Sequence, residues 1–338
     1  MKNVLVGISG GVDSAVCAAL LKEQGYNVTG AYLGLWQDGK SADNSALEVS
    51  KRLGIELVEL DCAKSFKSLV VDYFTNEYTL GRTPNPCVRC NRVVKLRALL
   101  DAANRLGADY IATGHYAKTE KTEGGTVLKK ALHPQKDQSY FLYDIGNDIL
   151  EKLLLPLGSY TKDEIREMAR VRELGVEKKP DSQEICFLPD GEYAAFIKKH
   201  AKNLPPRGNI LLDGQVCGRH DGIYNFTIGQ RKGLGAFGRP VFVREIDAHT
   251  NTVTIGDDLR RSVLFTENFT FTGDTEREFP FNATVKIRSR AREAAASVYR
   301  DGNGIRVEFE EPQRAVTPGQ SAVLYSGDTV VGGGIIKY

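Results

Sequence analysis

The chain has 338 residues, of which 41% are hydrophobic and 26% charged, and its net charge is +2. That length suggests about two or three domains, and that composition excludes a disordered chain. A near-neutral total excludes the global basic field of many nucleic-acid binders, though not a local basic patch, and no apolar run is long enough to span a bilayer.

The N-terminus is one Lys and then an apolar run, not a signal peptide, so the expected compartment is the cytoplasm. Val4 to Ile8 reads as a buried strand. Ser9-Gly10-Gly11-Val12-Asp13-Ser14 follows, and then a helix-spaced stretch from Ala15 to Glu23, closed by Gly25. Strand, glycine-rich turn and helix start bring backbone N–H groups and a positive dipole end to one point, which suits a phosphate. Gly10 and Gly11 let the backbone approach the ligand, and Ser9 and Ser14 add hydroxyl donors. Asp13 suits a phosphate-bound Mg²⁺ better than a phosphate. The stretch has neither the lysine of the common P-loop nor the spacing of the dinucleotide fingerprint.

Strand and helix patterns then alternate. Strands are expected at 27–35, 55–60 and 110–112, and helices at 43–53, 66–80 and 91–106. This order predicts an α/β fold with a doubly wound parallel sheet, whose ligand sits beyond the carboxyl ends of the strands. The glycine-rich loop and Thr113-Gly114-His115-Tyr116 both fall at that edge. Residues 118–132 read as a hairpin around Glu123-Gly124-Gly125, and the apolar stretch to Leu155 as helical. Thr161-Lys162-Asp163-Glu164 is a capping-box signature opening a helix to Leu174. Residues 178–189 read as a loop and 192–200 as a short helix. After a linker at 202–208, helical periodicity vanishes. Short alternating runs predict two small mostly-β modules dividing near residues 258–265. The expected domains are 1–201, 202–262 and 263–338.

Six cysteines are too few for a disulfide scaffold in a chain of this length. Cys17, Cys62 and Cys217 read as packed hydrophobes. Cys87 and Cys90 form a CxxC pair in Arg82-Thr83-Pro84-Asn85-Pro86-Cys87-Val88-Arg89-Cys90-Asn91. Cys90 is expected at or just before a helix start, where the dipole, Arg89 and Arg92 would favour its thiolate. The pair has three readings: a structural zinc site, which lacks ligands at zinc-finger spacing; a thioredoxin-like pair, which would sit elsewhere in its fold; and an iron–sulfur cluster with Cys186 as third ligand. Arg89, Arg92, Lys95 and Arg97, and Arg288, Arg290 and Arg292 on one side of a strand, are candidate basic surfaces for RNA phosphates.

Taken together, eight stretches resemble the tRNA-specific 2-thiouridylases, which place sulfur on C2 of the wobble uridine. They are residues 7–14, 81–91, 112–116, 136–142, 181–187, 227–235, 317–320 and 332–335, in order over nearly the whole chain. The resemblance implies a pyrophosphate-loop ATPase domain, a small central domain and a C-terminal, tRNA-binding β-barrel. It implies Cys90 as nucleophile and Cys186 as persulfide carrier, with a disulfide between them after turnover. Gly7, Ile8, Ser9, Gly10, Gly11, Val12, Asp13 and Ser14 would bind ATP, with Leu33 and Gly114 near the adenine. Asn85, Pro86 and Cys87 match positions that meet the target base. His115, Lys136, Asp137, Gln138, Arg288, Ser289 and Gln320 match positions that touch tRNA near the anticodon. Many members have Asp where this chain has Cys87, and the thiol here keeps a [4Fe-4S] cluster on Cys87, Cys90 and Cys186 as the alternative to a persulfide relay. The implied cofactors are ATP and Mg²⁺. The implied partners are tRNA and a persulfide donor such as a cysteine desulfurase or sulfur carrier, with no membrane. Rival readings are an amide-forming ligase that adenylates a carboxylate, a non-catalytic ATP- and tRNA-binding protein, and a zinc-stabilised RNA-binding module.

Overall fold

The computed structural model describes residues 1–36, 44–180, 185–188 and 192–337. Its first sheet is built from β1 (Asn3–Gly7), β2 (Asn27–Gly34), β3 (Leu57–Asp61) and β4 (Tyr110–Ala112). A hairpin of β5 (Ala117–Lys121) and β6 (Thr126–Lys130) leaves that sheet, and β7 (Leu153–Leu154) returns to its edge. The order is β3-β2-β1-β4-β7, and every pairing is parallel. The chain steps outward from β1 on one side, then crosses to the other. The crevice at the carboxyl end of β1 is therefore a topological switch point, where ligands of such sheets bind.

The core follows from this layering. Val4, Leu5 and Val6 of β1 are fully buried, covered on both faces. The helix Val12–Glu23 is apolar on nearly every side because it lies between the sheet and the helix Lys162–Val171, meeting Ile165 and Ala169. Thr161 caps that second helix through the expected capping box with Glu164.

Two sequence expectations are corrected here. The stretch up to Leu155 is not a helix: it holds a 3₁₀ turn at Ser139–Phe141, one turn at Asn147–Leu150 and then β7. Its leucines carry no helical period because Leu153 and Leu154 pair with Ile111 and Ala112 at the edge of the parallel sheet. The helix at the cysteines begins at Pro86, not near Asn91. Asn85 caps it, its side-chain oxygen accepting from the N–H groups of Cys87 (3.2 Å) and Val88 (3.3 Å). It runs as Pro86–Cys90, a π turn at Asn91–Lys95, and Leu96–Leu106. A second π turn, Lys67–Val71, interrupts the helical stretch from Ala63 to Thr79.

Two further units follow. β8 (Gly208–Leu212), β9 (Gln215–His220), β10 (Phe242–Asp247) and β11 (Thr252–Gly256) form a four-stranded sheet around a small apolar core. β12 (Arg260–Phe271), β13 (Phe281–Lys286), β14 (Ala294–Asp301), β15 (Gly304–Arg314), β16 (Ser321–Ser326) and β17 (Thr329–Lys337) close into a barrel through the β12–β17 pairing. The hairpin of the first unit extends this barrel sheet, with Lys129 opposite Thr329. No described helix is long and apolar enough to cross a membrane.

Candidate active site

The glycine-rich loop leaves β1 at the switch point. Ile8 still donates its N–H to the Ala31 carbonyl (2.8 Å), so the loop proper starts at Ser9. The Ser9 N–H donates to Ser14 Oγ (3.1 Å), and that hydroxyl donates to the Gly11 carbonyl (3.1 Å). The seryl hydroxyls thus hold the turn closed as well as lining it. Gly11 caps the helix, and Val12, Asp13 and Ser14 head it, where N–H groups have no acceptor in a preceding turn. The loop therefore offers donors and a dipole end to an anion.

Two glycines are sterically required. Gly10 has φ +78°, and a Cβ there would lie 2.5 Å from Ser45 Cβ. Gly114, beyond β4, presses on the loop from the other side, and its Cβ would lie 2.8 Å from the Asp13 carbonyl carbon. Leu33, at the end of β2, packs at the junction of two apolar clusters. Loop, Leu33 and Gly114 thus gather at one edge of the sheet.

Asp13 is engaged within the protein. Lys162 donates to both of its carboxylate oxygens at 2.8 Å, and the Tyr116 hydroxyl donates to one at 2.7 Å. The carboxylate is thus held in place at the head of the helix by a cation and a phenol. Lys162 sits in the first turn of its helix, and only 12% of its side chain is exposed. Lys179 reaches in as well, donating to the Gly10 carbonyl at 3.2 Å and to Ser45 Oγ. The lysine that the loop itself lacks is in this way supplied from distant segments. Sequence reading missed both; the capping box marked the place of Lys162 without marking its direction.

Beyond the same edge lie the thiols. Cys90 is buried, whereas Cys87 and Cys186 reach the surface. The three lie close enough for the Cys186 charge to bear on Cys87 and Cys90, although Cys186 is far away in sequence. Burial pushes the Cys90 thiol up to about 12, against the pull of Lys95. Cys87 and Cys186 are also raised by burial and also pulled down by Lys95. The expectation of a low-pKa Cys90 eased by Arg89 and Arg92 is thus corrected. Arg89 stacks on Tyr73 at 5.0 Å, and Arg92 pairs with Asp144 at 2.7 Å. Cys90 also stands past the first turn of its helix, so the dipole favours Cys87 more. Among the described residues no three His, Cys, Asp or Glu side chains are grouped so as to hold a metal ion.

Three family models cover the chain: a tRNA methyl transferase HUP domain at residues 2–190, a tRNA methyl transferase PRC-barrel domain at 194–257, and an aminomethyltransferase beta-barrel domain at 261–336. Curated relatives match end to end. The tRNA-specific 2-thiouridylase MnmA of Clostridioides difficile (strain 630) is 45% identical, over 99% of this chain and 98% of its own length. That of Clostridium perfringens (strain ATCC 13124) is 46% identical over 99% and 98%, and that of Acetivibrio thermocellus 44% over 99% and 99%. This chain belongs to the tRNA-specific 2-thiouridylase family.

In this 2-thiouridylase-family chain, most residues matched to tRNA contacts also make hydrogen bonds within the protein. The His115 imidazole shares a 2.8 Å hydrogen bond with Thr113 Oγ1, and burial, then Lys95, push its pKa down to about 3. Asp137 accepts from the Ala131 N–H (2.9 Å) and Ser139 Oγ (2.9 Å), and Gln138 Oε1 accepts from the Tyr116 N–H (2.8 Å). Lys136, beside them, is also engaged. Arg288 donates to the carbonyls of Ile228 (3.0 Å) and Ala315 (3.3 Å) and to Thr317 Oγ1, binding the loop after β9 to the barrel. Gln320 donates to the Thr83 carbonyl at 2.8 Å, and the Thr83 N–H donates to the Pro318 carbonyl at 2.8 Å. The barrel thereby grips the segment that leads into Asn85, Pro86 and Cys87. Arg288 to Arg292 form a turn after β13 rather than a strand, so they do not share one side; Ser289 lies in that turn, and Arg290 and Arg292 are exposed. The segment 181–184, within the landmark that carries Cys186, lies outside the described residues.

Proposed function

We propose that this chain uses ATP to activate the C2 oxygen of a tRNA wobble uridine and replaces that oxygen with sulfur, giving 2-thiouridine. The observation that carries the reading is the meeting of Cys90 and Cys186 beyond the same sheet edge as a phosphate-binding loop. Methyl transfer, the word in two of the family descriptions, needs neither adenylation nor a second thiol. The thiouridylase names of the full-length relatives agree with the residues present.

A uracil C2 carbonyl is a poor electrophile with a bad leaving group. Breaking the α–β anhydride of ATP and placing AMP on O2 makes that oxygen a good one. The loop N–H groups, the helix dipole and the cations Lys162 and Lys179 would stabilise the departing pyrophosphate. A persulfide donor, such as a cysteine desulfurase or sulfur carrier, loads Cys186. The Cys90 thiolate then attacks the inner sulfur of Cys186-S-SH. A Cys90–Cys186 disulfide forms and hydrosulfide leaves, attacks C2 and expels AMP. An external dithiol supplies the two electrons that reopen the disulfide. Asn85, Pro86 and Cys87 stand at the head of the cysteine helix, where an unstacked base would arrive. No step in this reading is routed through a cluster or a metal ion. In this reading residues 1–201 carry ATP and sulfur chemistry, 202–262 form a spacer and 263–338 contact tRNA.

Cys90→Ser and Cys186→Ser should each abolish thiolation of tRNA from a persulfide donor while ATP binding persists. Full turnover in either variant overturns the reading and leaves an adenylating ligase. Binding of ATP and tRNA by the unaltered protein without pyrophosphate release leaves a non-catalytic binder.

A further inference from the structure

We propose that a bulge in β12 positions the cysteine segment for reaction: Glu267 and Thr270, through Arg82 and Asp144, fix the two ends of residues 82–92, on which Asn85, Cys87 and Cys90 stand. Arg82 and Asp144 are positioning residues in this account, which deepens the thiolation reading and rests on it.

The inference begins in the barrel. In an unbroken strand, side chains three apart point to opposite faces of the sheet. β12 is broken at this place. It runs from Glu267 to Thr270 while its partner β17 runs only from Ile335 to Gly333, so β12 carries an extra residue. Asn268, within that bulge, has φ +54°. The extra residue turns Glu267 and Thr270 to one side, and both meet the first unit.

Each meets a different end of the cysteine segment. The Arg82 guanidinium donates to Glu77 Oε1 at 2.6 Å, and the Arg82 N–H donates to the Glu77 carbonyl at 2.9 Å. Another guanidinium nitrogen of Arg82 lies 3.8 Å from Glu267 Oε1. Arg82 Nε is buried, with no acceptor among the described residues. The guanidinium thus leaves one donor unused and faces two carboxylates, one from each unit. At the other end, Asp144 accepts from Arg92 at 2.7 Å and from Thr270 Oγ1 at 3.2 Å. The helix Pro86–Cys90 lies between these two anchors. Half-exposed ion pairs add little to stability, so their convergence on one segment is better accounted for by placement. Placement matters to rate, since a misplacement of about 1 Å can cost about a hundredfold.

The test uses the full chain with ATP, tRNA and glutathione persulfide. It reads three quantities separately: the rate of 2-thiouridine formation at saturating substrates, the Kd for tRNA and the Tm. Arg82→Met should lower the rate about tenfold and leave the tRNA Kd within about threefold, and Arg82→Lys should recover most of that loss. Glu267→Gln and Thr270→Val, both in the barrel, should each lower the rate about threefold. Adding Glu267→Gln to Arg82→Met should lower it by less than about 1.5-fold more, because that link is already cut. If Arg82→Met does not fold, with Glu77 left buried and unpaired, the double variant Glu77→Gln and Arg82→Met takes its place. A rate within about twofold of the unaltered protein, a loss confined to tRNA Kd or Tm, or losses that multiply between Arg82 and Glu267 overturns the proposal. Failure of the thiolation reading would show instead as retained turnover in Cys90→Ser.

Discussion

Replacing Gly10 by alanine separates two demands that the structure makes on the loop. The first is backbone strain: φ is +78°, a region that costs an alanine about 1 kcal/mol. The second is space. The new Cβ would stand 2.5 Å from Ser45 Cβ, 2.9 Å from the Ala46 nitrogen and 3.0 Å from the Ser45 carbonyl carbon. All three belong to the first turn of the helix Ser45–Leu53, so no flexible side-chain end can yield. Loop and helix must part, and Lys179, which ties the Gly10 carbonyl to Ser45, must release one of them. Gly25 supplies the control, with φ +87° and nothing within 4 Å of its Cβ. Gly25→Ala should cost about 1 kcal/mol of stability and leave ATP affinity unchanged. Gly10→Ala should carry the same strain and in addition weaken ATP binding at least about tenfold, or about 1.4 kcal/mol. Calorimetric titration with ATP, paired with melting curves, measures both. ATP binding by Gly10→Ala within about twofold of the original would refute the claim that the loop geometry makes the site.

Three further outcomes are expected. Lys162→Met should slow tRNA-dependent pyrophosphate release by about tenfold or more, and adding Asp13→Asn should change little further, because the pair acts as a unit; additive losses in a double-mutant cycle would argue otherwise. Burial holds His115 near 3, against about 6.5 in an unfolded chain, so the unfolded state binds the extra proton between those values. Stability should therefore be lost as pH falls from about 6.5 toward 3, and His115→Gln should flatten that slope in denaturant melts. Gln320→Ala removes one hydrogen bond worth about 1 kcal/mol between barrel and cysteine segment. It should raise the KM for tRNA about fivefold with ATP affinity intact, and an unchanged KM would detach the barrel's grip from tRNA placement.

The parallel sheet was legible because its local signals agree. An apolar β1, a glycine turn and Gly25, Gly54 and Gly107 closing their helices each punctuate one βα unit. β7 was not legible, since two leucines before a proline carry no period, and only the sheet edge makes them a strand. The cysteines could be singled out by spacing, but their ionisation could not: depth of burial, not the nearby arginines in the sequence, sets the Cys90 thiol high. Asp137, Gln138 and Arg288 were singled out as RNA contacts, and each also makes hydrogen bonds to the protein's own backbone. A polar side chain in a sequence gives no sign of whether its partner is intramolecular.

The β5–β6 hairpin lies in the first half of the chain, yet it is completed by the last strand. Lys129 pairs with Thr329, the Lys130 N–H donates to the Asp328 carbonyl at 2.8 Å, and Lys130 Nζ donates to the Gly327 carbonyl at 2.8 Å. Until β17 is present, the outer edge of this hairpin has no strand to pair with. A chain cut short before β17 would lose the barrel closure and expose the hairpin together. Pairing across about 200 residues of sequence makes this edge a contact of high loop-closure cost, formed only once both ends of the sheet are present.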